Sequence, residues 1–191
     1  MVQSPHILGV HSAHQDKQDF NFSAPAVNIP LTYHFQIQSL EQCYPLAQGI
    51  GDLFSHDTKK DLRTACHELL VNAIEHGNLE ISAEEKQQHI HSGTLLALIE
   101  ERMQMHPYKE RFVSVTCERY YEAPNLKMIR ITITDQGKGF DWRKVLDHMH
   151  IMDERAQGRG IYIAKNLCFD ALHYNESGNQ VIGMVYNESK L

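Results

Sequence analysis

The 191-residue chain has little that would cross-link it, anchor it in a membrane or hold it on nucleic acid. Its four cysteines, Cys43, Cys66, Cys117 and Cys168, are widely scattered, and no Cys-x-x-Cys pair occurs. They read as small buried hydrophobes of a reduced, cytoplasmic protein. No apolar run approaches the roughly 20 residues of a membrane-spanning helix, and the longest extends only from about Leu95 to Ile99. The polar beginning, with Pro5 and several histidines, shows no signal peptide. Basic residues are the minority, 18 against 24 acidic, for a formal charge of −6. A nucleic-acid footprint needs a clustered basic surface, so direct nucleic-acid binding is excluded as an expectation, as is membrane association. There is no internal repeat.

Histidine is abundant, at 13 residues, yet no zinc motif completes itself. His67-Glu68 begins a His-Glu-x-x-His string, but Val71 stands where the second histidine belongs. His89 with His91, and His148 with His150, are two apart and face different sides of a helix. These histidines read as scattered surface residues.

The length suits one domain with a real core. Residues 1–29 are polar and without periodicity, and are expected to be a tail or linker. Residues 30–191 carry the patterned elements. Leu31 to Ile37 alternates as a strand, and Leu40 to Phe54 has helical spacing behind Ser39 as N-cap. A helix follows, with Asp57 or Thr58 as its expected cap. Ser82-Ala83-Glu84-Glu85 has capping-box spacing for a helix to about His91, and Thr94 to Met105 makes another that Pro107 ends. Phe112 to Tyr120 and Met128 to Thr134 form a hairpin around Ala123-Pro124-Asn125. Trp142, Val145, Leu146 and Met149 have helical spacing, and Ile161 to Phe169 reads as a helix. Asp170 to Tyr174 and Gln180 to Tyr186 make a last hairpin. Without serial βαβ units, the order predicts an α+β two-layer sandwich, a mixed, mostly antiparallel sheet with helices on one face.

Three stretches carry the chemistry. In the helix ending His67-Glu68-Leu69-Leu70-Val71-Asn72-Ala73-Ile74-Glu75-His76-Gly77-Asn78, an apolar stripe recurs at three- and four-residue spacing. Glu68 and Asn72 lie one turn apart beside it, where a carboxylate and a carboxamide can serve as base and metal ligand. Taken alone, that face reads better as an ordinary solvated one. His76 continues the row, and Gly77 reads as the helix stop. The strand Ile129 to Thr134 runs into Asp135-Gln136-Gly137-Lys138-Gly139. A carboxylate there can accept a hydrogen bond from an exocyclic amine, and the glycines allow close approach of a flat ligand. Gly158-Arg159-Gly160 opens a helix, where free N–H groups favour phosphate.

In this order the three stretches resemble the ATP-binding boxes of the superfamily that groups gyrase, MutL, heat-shock chaperone and histidine-kinase ATPase domains. The wording Glu-Leu-Leu-Val-Asn-Ala-Ile-Glu-His-Gly-Asn is most similar to the anti-sigma-factor serine kinases. The resemblance spans roughly residues 30–187 and implies a Bergerat-type ATP-binding fold. It implies Glu68 as the catalytic base, Asn72 as ligand of Mg²⁺, and Asp135 as the reader of adenine. Gly137, Gly139, Gly158, Arg159 and Gly160 complete the expected ATP-binding set, the stretch between the glycine boxes being a lid. Lys138, Arg155 and Arg159 are candidates to neutralise phosphate, and contact with phosphate or a capping role is open to His76.

The implied activity is an ATP- and Mg²⁺-dependent serine/threonine-protein kinase that phosphorylates a small antagonist protein and switches between it and a sigma factor or analogous regulator. Dimerisation is common among the resembling kinases. Two alternatives stand beside this one: a non-catalytic nucleotide-binding module that sequesters its partner, and the ATPase domain of a larger response-regulator or phosphatase protein. Two features depart from the family pattern. Residues 79–109 read as a helical insertion, and Gly178-Asn179-Gln180 stands where a glycine-threonine step is usual.

Overall fold

The structure is a computed structural model that describes residues 6–11, 30–122, 125–144 and 159–187. One six-stranded sheet forms the base, with strands β1 (His6–His11), β2 (Leu31–Ile37), β3 (Val113–Glu122), β4 (Asn125–Thr134), β5 (Ala171–Tyr174) and β6 (Gln180–Tyr186). The spatial order is β1-β2-β3-β4-β6-β5, and every pairing is antiparallel. Register explains the layering. Val115 faces Ile133 and Cys117 faces Ile131 across the central hairpin, so their period-two apolar positions share one side. Val113, Val115, Cys117, Ile129, Ile131 and Ile133 are all buried.

Helices cover that side. Helix α1 (Cys43–Phe54) follows a 3₁₀ turn at Leu40–Gln42 and buries Leu46, Ile50 and Phe54. Gln42 reaches back to accept the N–H groups of Gln38 and Ser39 at 2.8 and 3.2 Å, closing the exposed helix start. Helix α2 (Leu62–Asn72) buries Leu62, Cys66, Leu69 and Leu70. Burial of each such aliphatic chain contributes about 1.5–3 kcal/mol. This is the α+β sandwich that the residue pattern predicts.

Several local expectations are corrected. Asp61 caps α2, accepting from the N–H groups of Arg63 and Thr64 at 3.1 and 3.3 Å. The expected caps Asp57 and Thr58 lie too early in the chain for a helix that begins at Leu62; Asp57 pairs with Arg119 of β3 at 2.8 Å, and Thr58 Oγ1 accepts the Lys60 N–H at 3.1 Å. Helix α2 does not stop at Gly77 but widens into a π-helical turn over Ala73–Asn78. Among the described residues the left-handed glycines are Gly93, Gly139 and Gly178, and Gly77 is not one of them. The stretch 1–29 holds β1, paired with β2, where a tail is expected.

The insertion forms two helices, α3 (Ala83–Ser92) and α4 (Leu95–Gln104). Ser82 caps α3 by accepting from Glu85 N–H at 3.1 Å, and left-handed Gly93 closes it. Helix α5 (Arg159–Ile163) continues as a π-helical turn over Ala164–Cys168 and packs on α2. The expected helical positions Val145, Leu146 and Met149 lie outside the described residues, as does the turn at residues 123–124. Among the described residues no helix is long and apolar enough to cross a membrane.

Candidate functional site

A cavity of about 420 Å³ opens between the end of α2, the loop after β4 and the turn joining β5 to β6. Leu69, Asn72, Ala73 and His76 line it from the helix. Asp135, Lys138, Gly139 and Phe140 line it from the loop, and Tyr174 with residues 178–181 from the final hairpin. Residues 80–83, where the insertion begins, form a further wall.

Asp135 sits where the first two sequence boxes meet. A Cβ on Gly77 would lie 2.4 Å from the Asp135 carboxyl carbon, and one on Gly137 would lie 2.1 Å from the Gly77 carbonyl oxygen. The helix end and the loop therefore touch through bare backbone, and only glycine permits it. The Asp135 carboxylate accepts the Gly137 N–H at 2.8 Å. Its own N–H donates to the Asn179 carbonyl at 3.0 Å. Burial pushes the carboxyl up to about 6, against the lowering effects of that hydrogen bond and the Arg111 charge. A half-buried acceptor at a cavity wall suits a flat donor such as an exocyclic amine.

The loop is keyed to the β5–β6 turn by a second pair of glycines. Gly139 has φ +78°, and a Cβ there would stand 1.9 Å from the Ser177 carbonyl oxygen. Gly178 has φ +81°, and its Cβ would stand 2.2 Å from the Phe140 carbonyl oxygen. Phe140 meets the Tyr174 ring edge-on at 5.4 Å, and Trp142 stacks on it at 5.9 Å. Trp142 also donates its indole N–H to the Asn175 carbonyl at 2.9 Å. Asn179, in place of the family's threonine, accepts from Asn175 Nδ2 at 2.7 Å and Ser177 Oγ at 2.8 Å. It holds the turn together from within the cavity wall.

Of the expected site residues, Asn72, Asp135 and Gly139 line the cavity, with Gly137 directly behind Asp135. Glu68 is half-buried, one turn before Asn72 and outside the lining. A Cβ on Gly160 would lie 2.4 Å from Glu68 Oε2, so the first turn of α5 rests on this carboxylate. That contact joins the first box to the third. His76 lines the cavity while its Nδ1 bonds the Ile81 carbonyl at 2.6 Å, which leaves Nε2 for other partners. Lys138, a candidate phosphate partner, bonds Glu80 at 3.0 Å. Gly158, Arg155 and most of the expected lid lie outside the described residues, and Arg159 is the first residue of α5.

Sequence reasoning missed Asn78, Glu80, Arg111 and Tyr174. Asn78 is buried and its Oδ1 accepts the Gln136 N–H at 2.8 Å, fixing the loop before Gly137. Arg111 donates to the Asn78 carbonyl at 2.8 Å and to Glu80 Oε1 at 2.9 Å. Burial, with the Asp135 charge, holds the Tyr174 phenol well above its ordinary range. The only sequence signal was Asn78 following the His-Gly pair.

Geometry and fold together define a two-layer α+β domain whose cavity is built from a helix end, a glycine loop and the turn of the final hairpin, with Ile161 of α5 also on its wall. The family model of the histidine kinase-like ATPase domain matches residues 48–184. The chain belongs to that family and is an ATP-binding domain of histidine kinase-like type. No curated protein and no solved structure matches it.

Proposed function

We propose that the chain is an ATP-dependent serine/threonine-protein kinase of the anti-sigma-factor type, acting in the cytoplasm on a small antagonist protein and exchanging it for a sigma factor or analogous regulator. The observation that carries this reading is the convergence of Asn72 and Asp135 on one cavity, with Glu68 one turn behind Asn72. Asp135 would accept from the adenine amine. Mg²⁺ takes most of its ligands from phosphate and water, so the single Asn72 carboxamide on the wall fits it. When bound, the ion neutralises phosphate charge. Glu68 would take the proton of the attacking hydroxyl. An acceptor on serine or threonine suits a chain with glutamate at this position.

One observation favours a second reading, the non-catalytic nucleotide-dependent binder. Glu68 stands beneath Gly160 rather than on the cavity lining. Titration calorimetry of ATP with Mg²⁺, on wild type and Asp135→Asn, tests the nucleotide site. Binding in wild type and loss in the variant support it. Phosphotransfer to candidate antagonist proteins, abolished in Glu68→Ala while ATP still binds, would establish the kinase. Undiminished partner binding with no transfer would establish the sequestering module.

A further inference from the structure

Glu80 is the one non-glycine residue with positive φ among the described residues, at +51°. A side chain in that region is disfavoured and persists only where its surroundings offset the strain. Here they do. Arg102 of α4 donates to the Leu79 carbonyl at 2.8 Å, and Arg111 donates to the Asn78 carbonyl and to Glu80 Oε1. Lys138 bonds Glu80 Oε2 from the glycine loop. The Tyr108 ring lies 5.4 Å from the Arg102 guanidinium and 5.2 Å from that of Arg111. The insertion thus enters the fold through a strained residue fixed by cations, and that residue lines the cavity.

We propose that Glu80 is a specificity-determining residue of the nucleotide site, its carboxylate accepting a hydrogen bond from a donor of the bound nucleoside. The inference rests on the nucleotide reading above. A carboxylate has about four lone-pair sites. Arg111 occupies one on Oε1 and Lys138 one on Oε2. The remaining acceptor capacity borders a cavity whose expected ligand offers two kinds of donor, the ribose hydroxyls and the amine hydrogen that Asp135 does not take. Arg111 and Lys138 on one carboxylate offset its charge, which lessens its repulsion of a nearby polyphosphate. Arg102 and Arg111 are positioning residues for Glu80, and the insertion contributes directly to ligand choice.

The test compares ATP, 2′-deoxy-ATP, 3′-deoxy-ATP and N6-methyl-ATP, each with Mg²⁺, by calorimetry on the full chain as wild type, Glu80→Ala and Glu80→Gly. Wild type is expected to prefer ATP over one analogue by about tenfold, the lower end for a hydrogen bond to a charged group. In Glu80→Ala that preference collapses to near unity, through loss of ATP affinity with the analogue unchanged. Discrimination lost for a deoxy analogue assigns the ribose as donor; discrimination lost for N6-methyl-ATP assigns the amine. Glu80→Gly, which suits the left-handed backbone, makes the same comparison if the alanine variant does not fold. Equal weakening of all four nucleotides would reduce Glu80 to a clamp and overturn the inference. So would wild-type binding without discrimination, which leaves the nucleotide site standing. Wild type that binds none of them removes the nucleotide site and this inference with it.

Discussion

Gly77→Ala inserts a single methyl group at the junction of helix and loop. Its Cβ would lie 2.4, 2.6 and 2.7 Å from the carboxyl carbon and two oxygens of Asp135. Ordinary contact begins at about 3.4 Å, so the carboxylate must retreat by about 1 Å or turn away. Overpacking of this kind costs about 1–3 kcal/mol. For a domain of this size each kcal/mol lowers Tm by about 2–4 °C. A displacement of about 1 Å also takes a hydrogen bond to the ligand beyond its useful range. A bond to a charged group contributes about 1.5–3 kcal/mol, which corresponds to a loss of roughly ten- to a hundredfold in ATP affinity. Calorimetry and a thermal melt read both effects. Gly49→Ala in α1 is the control, since a Cβ there meets nothing within 4 Å. It should raise stability by about 0.5–1 kcal/mol and leave affinity unchanged. A Gly77→Ala protein that melts and binds ATP as wild type does would refute the close contact and the assigned role of Asp135.

Three further outcomes are expected. Because Asp135 has a raised carboxyl, the folded state holds its proton more tightly than the unfolded chain, so this residue's contribution to stability falls as pH rises from about 4 to about 6. ATP affinity should rise over the upper part of that window as the acceptor ionises, and Asp135→Asn should remove the affinity step while melting higher than wild type at pH 8. Asp61→Ala should cost about 1 kcal/mol through the lost α2 cap, with nucleotide affinity intact in the same titration. Lys86→Met should cost about 3–5 kcal/mol in a urea melt, because it strands the buried Glu75 carboxylate without its ion-pair partner; a loss under 1 kcal/mol would mean that Glu75 finds water instead.

The sheet was legible where a strand buries one face only, because alternation records that directly. Gln180–Tyr186 matches its predicted bounds for this reason, alternating half-buried and buried along its length. The helices were legible from their apolar stripes, and the glycine boxes because close backbone contact leaves glycine no substitute. Interactions between distant parts of the chain were not legible. Asp57, expected as a cap, instead pairs with Arg119, 62 residues away. Asn78 acts through Gln136, 58 residues away. Glu80 adopts a glycine-like backbone with no glycine to signal it, since the arginines that hold it come from α4 and from the segment just past the insertion. β1 does not alternate and sits in a stretch rich in polar residues, so its short apolar run of Ile7, Leu8 and Val10 did not stand out as a strand.

The wall at residues 80–83 also matters for chemical intervention. Adenine mimics that occupy only the Asp135 pocket meet features common to ATP-binding domains of this class. A compound extended from that pocket toward Ile81, Ser82 and Ala83 would contact side chains supplied by the insertion. Its selectivity among related ATPases would then follow from a segment that the shared boxes do not specify.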